Sequence, residues 1–290
     1  MACLALRSHR GTVRKVNQDA CCAYASKTSL GEVVMAVVCD GVGGLSYGEV
    51  ASATVVQGFS QWFEHELPTL LDAMDQAFDF GVVQSRWQRL LCDLNDRIRQ
   101  YGRSIGALLG TTFTGMLACD GTYVVGHVGD SRAYCLHDGV LNQITEDQTL
   151  LAYKLAHNQI SPQEVKHFTQ RNVILQSVGT EQKLAPAFYT GSMDDLDVMV
   201  LCSDGAYHVL GSQGLERAFQ GASCWNERRM GDACERVLEK SMSGGEKDNL
   251  SIVCLRCESG LAHGETDDGL GIPGLMGKLR MMASTAEDLQ

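Results

Sequence analysis

The chain has 290 residues, 44% of them apolar, and a formal net charge of −11; it is long enough for one large domain or two small ones and too apolar to be disordered. That acidity excludes non-specific attraction to nucleic acid, and it calls for cations wherever a phosphorylated group is to be bound. The amino terminus, MACLALRSHRG, is too short in apolar residues for a signal peptide, and no run approaches the roughly 18 residues of a membrane span, so a soluble, cytoplasmic protein is expected.

Residues 20–26 and 32–39 read as strands, the second (EVVMAVVC) rich in Val and apolar on both faces. Ala51, Val55, Phe59 and Trp62 recur at helical spacing within 48–65, with Pro68 expected to break that helix. A second helix is expected within 70–101, with Trp87, Leu91, Leu94 and Ile98 along one face. Strands at 111–119 and 122–128 are joined by Asp120-Gly121, a strong hairpin signal, and 131–137 turns at Asp138-Gly139. Residues 149–175 are mixed: a short helix, then SPQE (161–164), which reads as a helix start with Ser161 at the N-cap and Pro162 next. His157 and His167 in this stretch read as exposed helix residues. A buried strand at 196–203, helices at 213–219 and 228–241, and a final strand at 249–257 follow. The tail is Gly-rich and acidic: 258–273 reads as a flexible linker and 274–283 as disordered, with a short amphipathic helix as the alternative. Helices grouped between hairpin-linked strands predict antiparallel sheets with helices packed outside.

Twelve cysteines are present, several inside apolar strand-like runs, where a free thiol acts as a small buried hydrophobe. The lone CxxC (Cys254, Cys257) has no second pair at zinc-site spacing. Free thiols fit a reducing compartment.

Strand-like runs end repeatedly in aspartate. Asp40, Asp130 and Asp204 follow such runs, and Asp19 and Asp248 precede them. One Asp-Gly after a strand is a turn, as Asp138-Gly139 is expected to be. Five acids at strand ends can gather at one rim, where they cannot all ionise without countercharge. Oxygen ligands without His or Cys select Mg²⁺ or Mn²⁺ over Zn²⁺. Two divalent ions among five carboxylates leave a near-neutral site that accepts a phosphate dianion and can aim a shared water at phosphorus.

The ordered set RKVNQD (14–19), VVCDGVGG (37–44), GTT (110–112), VGDSRAY (128–134), ITEDQT (144–149), NVILQSVG (172–179), LCSDG (201–205) and KDNLSIV (247–253) resembles the PPM (PP2C-like) family of metal-dependent protein serine/threonine phosphatases, bacterial type. The resemblance covers about residues 8–257. It implies an α+β fold, a four-layer α-β-β-α sandwich of two packed antiparallel sheets flanked by helices. It implies one phosphatase domain over 1–257, with a flap at about 149–185 and the tail 258–290 beyond it. It also implies roles: Asp40 bridging two Mn²⁺ or Mg²⁺ ions, the Gly41 carbonyl on the first, Asp204 and Asp248 on the second, Asp130 on a third, Asp19 bonded to metal-held water, and Arg14 gripping the phosphate. A metal-bridging water or hydroxide would then attack phosphorus directly.

On this reading metal makes Asp40 tolerable at a strand end, Gly41 lets its carbonyl turn to an ion, and Gly43 and Gly44 clear the entry. Val42 occupies the place of the His that eukaryotic members carry, as in bacterial relatives generally. Two departures stand out: Gln148 replaces the His of the usual T-x-D-H-S, and an acidic tail follows residue 257. Implied partners are phosphoserine and phosphothreonine proteins and a cognate Ser/Thr kinase, with the phosphatase itself a monomer. The main alternative is a metal-binding pseudophosphatase acting as a regulator. GVGGLS (41–46) fails the G-x-G-x-x-G pattern, and no G-x-x-x-x-G-K-[ST] or G-x-S-x-G is present, which disfavours nucleotide-binding and serine-hydrolase readings.

Overall fold

The computed structural model describes residues 2–28, 30–42, 45, 47–74, 78–193, 196–256 and 280–284. One sheet runs in the order β1 (Cys3–His9), β10 (Leu250–Arg256), β9 (Val198–Cys202), β6 (Arg132–His137) and β7 (Val140–Gln143). The other runs β11 (Arg280–Ser284), β2 (Ala20–Thr28), β3 (Gly31–Cys39), β4 (Phe113–Cys119), β5 (Thr122–Val128) and β8 (Ala187–Ser192). All pairings are antiparallel.

The four-layer sandwich follows from the side-chain period of two. On β3, Val34, Ala36 and Val38 pack between the sheets with Met116, Met199, Leu201 and Val253. Val33, Met35, Val37 and Cys39 face the other way, onto α1 (Gly48–Gln61) and α3 (Phe80–Ile105). That layer is held by Phe59, Trp62, Trp87 and Leu91, with Phe59 and Phe113 stacked at 4.4 Å between ring centres. The opposite sheet is covered by α6 (Gly211–Ala218) and α7 (Glu227–Ser243) through Leu215, Met230, Ala233 and Val237.

Local chemistry sets the element ends. The Asp79 carboxylate accepts from the N–H groups of Gly81 and Val82 and starts α3, and Gly106 in the left-handed region ends it. Both Asp-Gly hairpins have positive φ at each central residue (49° and 68° at Asp120-Gly121, 49° and 78° at Asp138-Gly139), which matches the strand twist.

Several expectations are corrected. Pro68 does not break the helix: a π turn (Trp62–Glu66) leads from α1 into α2 (Leu67–Asp72), and Pro68 lies in the first turn of α2, where no backbone donor is needed. The second helix, expected within 70–101, starts at Phe80 and runs past 101 to Ile105. At 161–164 the Glu164 carboxylate does reach back to the Ser161 N–H (2.7 Å) and hydroxyl (2.8 Å), but the segment forms only a 3₁₀ turn, Glu164–His167. In the tail, Arg280–Ser284 is a strand on β2, neither disordered nor part of a helix; a short helix is marginal alone, whereas a sheet edge offers unpaired N–H and C=O groups. The linker at 258–273, and Gly43 and Gly44, lie outside the described residues. The edge strands β1, β7 and β8 carry no clear alternation and were not legible. Among the described residues no helix is long and apolar enough to cross a membrane.

Candidate metal and phosphate site

The five aspartates converge at one end of the sandwich. Asp40 leaves β3, Asp130 stands between β5 and β6, and Asp204 opens the short helix α5 (Asp204–Tyr207) after β9. Asp19 and Asp248 precede β2 and β10. Their proximity is registered in Asp40: burial raises its carboxyl well above the usual range, and the charges of Asp19, Asp204, Asp130 and Asp248 raise it further. Asp19 and Asp130 are pushed up to about 7 and Asp204 to about 6, in each case first by burial and partly by a neighbouring aspartate.

Residues far apart in the chain fix this arrangement. Thr112 links two acid-bearing strand ends: its hydroxyl accepts from the Asp40 N–H (2.9 Å) and meets the Ser131 hydroxyl at 2.7 Å. Its own N–H and the Thr111 hydroxyl both donate to the Asp40 carbonyl at 2.8 Å. A Cβ on Gly41 would stand 2.7 Å from the Gln18 carbonyl oxygen and 2.8 Å from that of Gly48; glycine is required there by close approach of backbones, not by an unusual φ. The Ser203 hydroxyl donates to Asp19 Oδ2 at 2.8 Å.

Three organisers carry no signal that sequence reasoning used. Asn249, inside KDNLSIV, donates to the carbonyls of Arg10 (2.9 Å) and Val16 (3.0 Å) and accepts from the Gln18 N–H (2.9 Å), so it pins the Arg14 loop beside Asp248. Buried Glu246 accepts from the N–H groups of Lys247 (2.7 Å) and Asp248 (3.0 Å) and meets His208 at 3.2 Å. Arg132 holds Asp147 through two bonds of 2.8 and 2.6 Å and lies 3.8 Å over the Tyr207 ring, whose hydroxyl donates to the Asp130 carbonyl at 3.0 Å.

Arg14 binds Asp248 Oδ2 at 2.6 Å, both side chains about one-third exposed. That hydrogen bond raises the guanidinium pKa, so the group stays charged. Two buried oxygens, Asp19 Oδ1 and Asp204 Oδ1, have no hydrogen-bond donor. Among the described residues no three acidic, His or Cys groups close into a ready cage; like charges need a cation to draw them in. Orphaned hard oxygen donors in an all-carboxylate cluster fit a divalent ion that prefers oxygen.

Gln148 takes a backbone-fixing role. Its Oε1 accepts from the Gly129 N–H (3.0 Å) and its N–H donates to the Gly129 carbonyl (2.7 Å), clamping the turn that carries Asp130. Its carbonyl accepts from Leu175 N–H at 2.7 Å. Gln148→Leu orphans the Gly129 donor and is expected to lower kcat/KM about tenfold, as loss of a residue that orients metal ligands does. Gln148→His, which keeps an acceptor, should recover most of it.

Metal-free protein should show inverted pH stability. The aspartates' contribution is full below their ordinary pKa of 3.8 and is lost as pH rises through about 6 (Asp204) and about 7 (Asp19, Asp130). Buried His127, pushed down to about 4 by burial, opposes this: its contribution is present above 6.5 and lost as pH falls through about 4. These three carboxyls, with Asp40 raised in the same direction by burial and its neighbours, outweigh one imidazole, so in EDTA the melting temperature is expected to be higher at pH 5 than at pH 7.5. In Mn²⁺ the order should reverse.

Comparison with known proteins agrees with this arrangement. The family model "Protein phosphatase 2C" matches residues 7–241. "Serine/threonine phosphatase stp" of Listeria monocytogenes is 27% identical over 249 residues, covering 85% of this chain and 92% of that protein. "Serine/threonine protein phosphatase PstP" of Mycobacterium tuberculosis is 29% identical over 253 residues, covering 86% of this chain and 44% of that longer protein. The crystal structure of Stp1 from Staphylococcus aureus superposes with a TM-score of 0.75 at 24% identity, over 89% of this chain and 96% of that one. Fold, clustered aspartates and a family match spanning most of the sequence lead to one assignment: this chain belongs to the protein phosphatase 2C family.

Proposed function

We propose that this protein serine/threonine phosphatase hydrolyses phosphoserine and phosphothreonine esters directly, without a phosphoenzyme. The observation that carries the reading is the gathering of five aspartates from separate strand ends, with the buried oxygens Asp19 Oδ1 and Asp204 Oδ1 lacking any donor. Asp40, the Gly41 carbonyl, Asp204 and Asp248 would hold two Mn²⁺ or Mg²⁺ ions, and Asp130 would help hold a third. When bound, the ions supply countercharge to the carboxylates and to phosphate and lower the pKa of an attacking water.

The chain's own residues supply the rest. Asp19, fixed by Ser203 at Oδ2, keeps Oδ1 free to accept a proton or hydrogen bond from that water. Cation binding at Asp248 would free Arg14 to offer its planar fork to two phosphate oxygens. Val42 has no proton to give, so the leaving oxygen draws its proton from solvent. Residues 149–185 act as a flap beside the site, and Arg280–Ser284 completes the β2 edge of the catalytic domain 1–257. The chain works as a monomer on phosphoproteins made by a cognate Ser/Thr kinase. A reducing cytoplasmic setting suits its cysteines, all free among the described residues. Relatives named as phosphatases favour this over an inactive regulator.

The test is phosphate release from a phosphothreonine peptide. EDTA-stripped protein should be inactive and Mn²⁺ should restore turnover; full activity of stripped protein would refute the reading.

A further inference from the structure

Two segments of this acidic chain that adjoin the aspartate cluster are basic, as is 97–119 with Arg97, Arg99 and Arg103. Residues 10–18 carry Arg10, Arg14 and Lys15 and no acid, and residues 150–176 carry Lys154, Lys166 and Arg171 against Glu164 alone. The rest of the chain has 18 bases against 34 acids. Both basic segments are tied to the aspartate cluster. Asn249 pins the first beside Asp248. The second is joined to the Asp130 turn through Leu175 and Gln148, and Val178 just beyond it pairs with Thr111, which also bridges Gly41.

Arg10, Lys15, Lys166 and Arg171 are exposed, and none forms an ion pair with another described residue. The lone acid, Glu164, is engaged by Ser161. Exposed apolar side chains interleave with these cations: Val13 (61%), Val16 (48%), Val173 (43%) and Leu175 (43%).

Resting on the phosphatase reading, we propose that the two segments recognise the flanks of the phosphosite and select phosphopeptides with acidic residues beside the phosphoserine or phosphothreonine. Unpaired cations beside the catalytic cluster of an acidic protein attract an anionic peptide to that cluster. The interleaved valines and leucine give the peptide apolar contact once it arrives. The aspartate cluster does not cancel this field, because its charge is neutralised by the divalent ions that phosphate binding needs.

The test uses full-length protein in Mn²⁺ and three phosphothreonine decapeptides, identical except for three flanking Asp, Ala or Arg residues. The expected kcat/KM for the acidic peptide exceeds that for the neutral one about tenfold in 50 mM salt, and the gap narrows in 300 mM salt as screening shortens the field. The basic peptide should be poorest. The double variant Lys15→Glu, Arg171→Glu should bring the acidic-to-neutral ratio toward one through KM. Equal kcat/KM on all three peptides, or a ratio indifferent to the charge reversal, would overturn the inference. Co-sedimentation with phosphatidylglycerol vesicles without peptide preference would assign these cations to a membrane and overturn it too. Absence of turnover on every peptide would count instead against the phosphatase reading.

Discussion

Asp40→Asn is expected to lower kcat/KM on a phosphothreonine peptide about 10³-fold while raising the melting temperature of the metal-free protein. The two effects share one cause. Burial first, and then the charges of four other carboxylates, oppose the ionisation of Asp40. Without metal this is a cost to folding at neutral pH, and an amide of the same shape removes it. With metal the same charge becomes a ligand that an amide cannot replace, and losing several kcal/mol of charge stabilisation at phosphorus amounts to about three powers of ten in rate. Relief of about 1 kcal/mol would raise the metal-free melting temperature by about 2–4 °C. Calorimetry in EDTA and in Mn²⁺, beside initial rates, separates the outcomes. A variant that loses activity and also melts lower without metal would show Asp40 to be structural.

Gly205→Ala should be nearly as damaging, by a route that involves no charge. A Cβ at Gly205 would collide with the backbone carbonyl oxygen of Asn249. That contact is where the start of α5 presses against the segment that carries Asp248 into β10, so it sets the spacing of Asp204 and Asp248. Backbone cannot move aside as a flexible side chain can, and such overpacking costs about 1–3 kcal/mol. The melting temperature should fall by about 4–8 °C for a mid-range cost, and Mn²⁺ affinity measured by titration calorimetry should weaken at least tenfold. Gly211→Ala is the control: its added Cβ meets nothing within 4 Å, so its cost is confined to the positive φ of 64°. Unchanged Mn²⁺ affinity in folded Gly205→Ala would show that this spacing does not matter.

What was legible in the sequence was local. EVVMAVVC announces a strand covered on both faces because every residue after Glu32 is apolar, and the structure buries alternate residues in two different cores. The Asp-Gly hairpins declare themselves because few residue pairs tolerate two positive φ angles in succession. The five aspartates were legible because each ends or begins an apolar run, where a lone carboxylate has no reason to be. What was not legible depends on contacts between distant positions. Asn249 reads as one more polar residue before a strand until its partners Arg10, Val16 and Gln18 are known. Thr112 and Glu246 are similar: their roles lie in what the fold brings opposite them. Pro68 misled because a breaker and an N-terminal helix proline look alike without the preceding turn. The tail strand misled because its pairing partner, the open edge of β2, is more than 250 residues away.

The most direct test is a crystal of the full chain grown in Mn²⁺, with diffraction collected at the manganese edge. Two anomalous peaks should lie between the carboxylates of Asp40, Asp204 and Asp248, one of them beside the Gly41 carbonyl, with Arg14 released from Asp248. Manganese bound only elsewhere, with Arg14 still on Asp248 and the aspartates uncoordinated, would contradict the account.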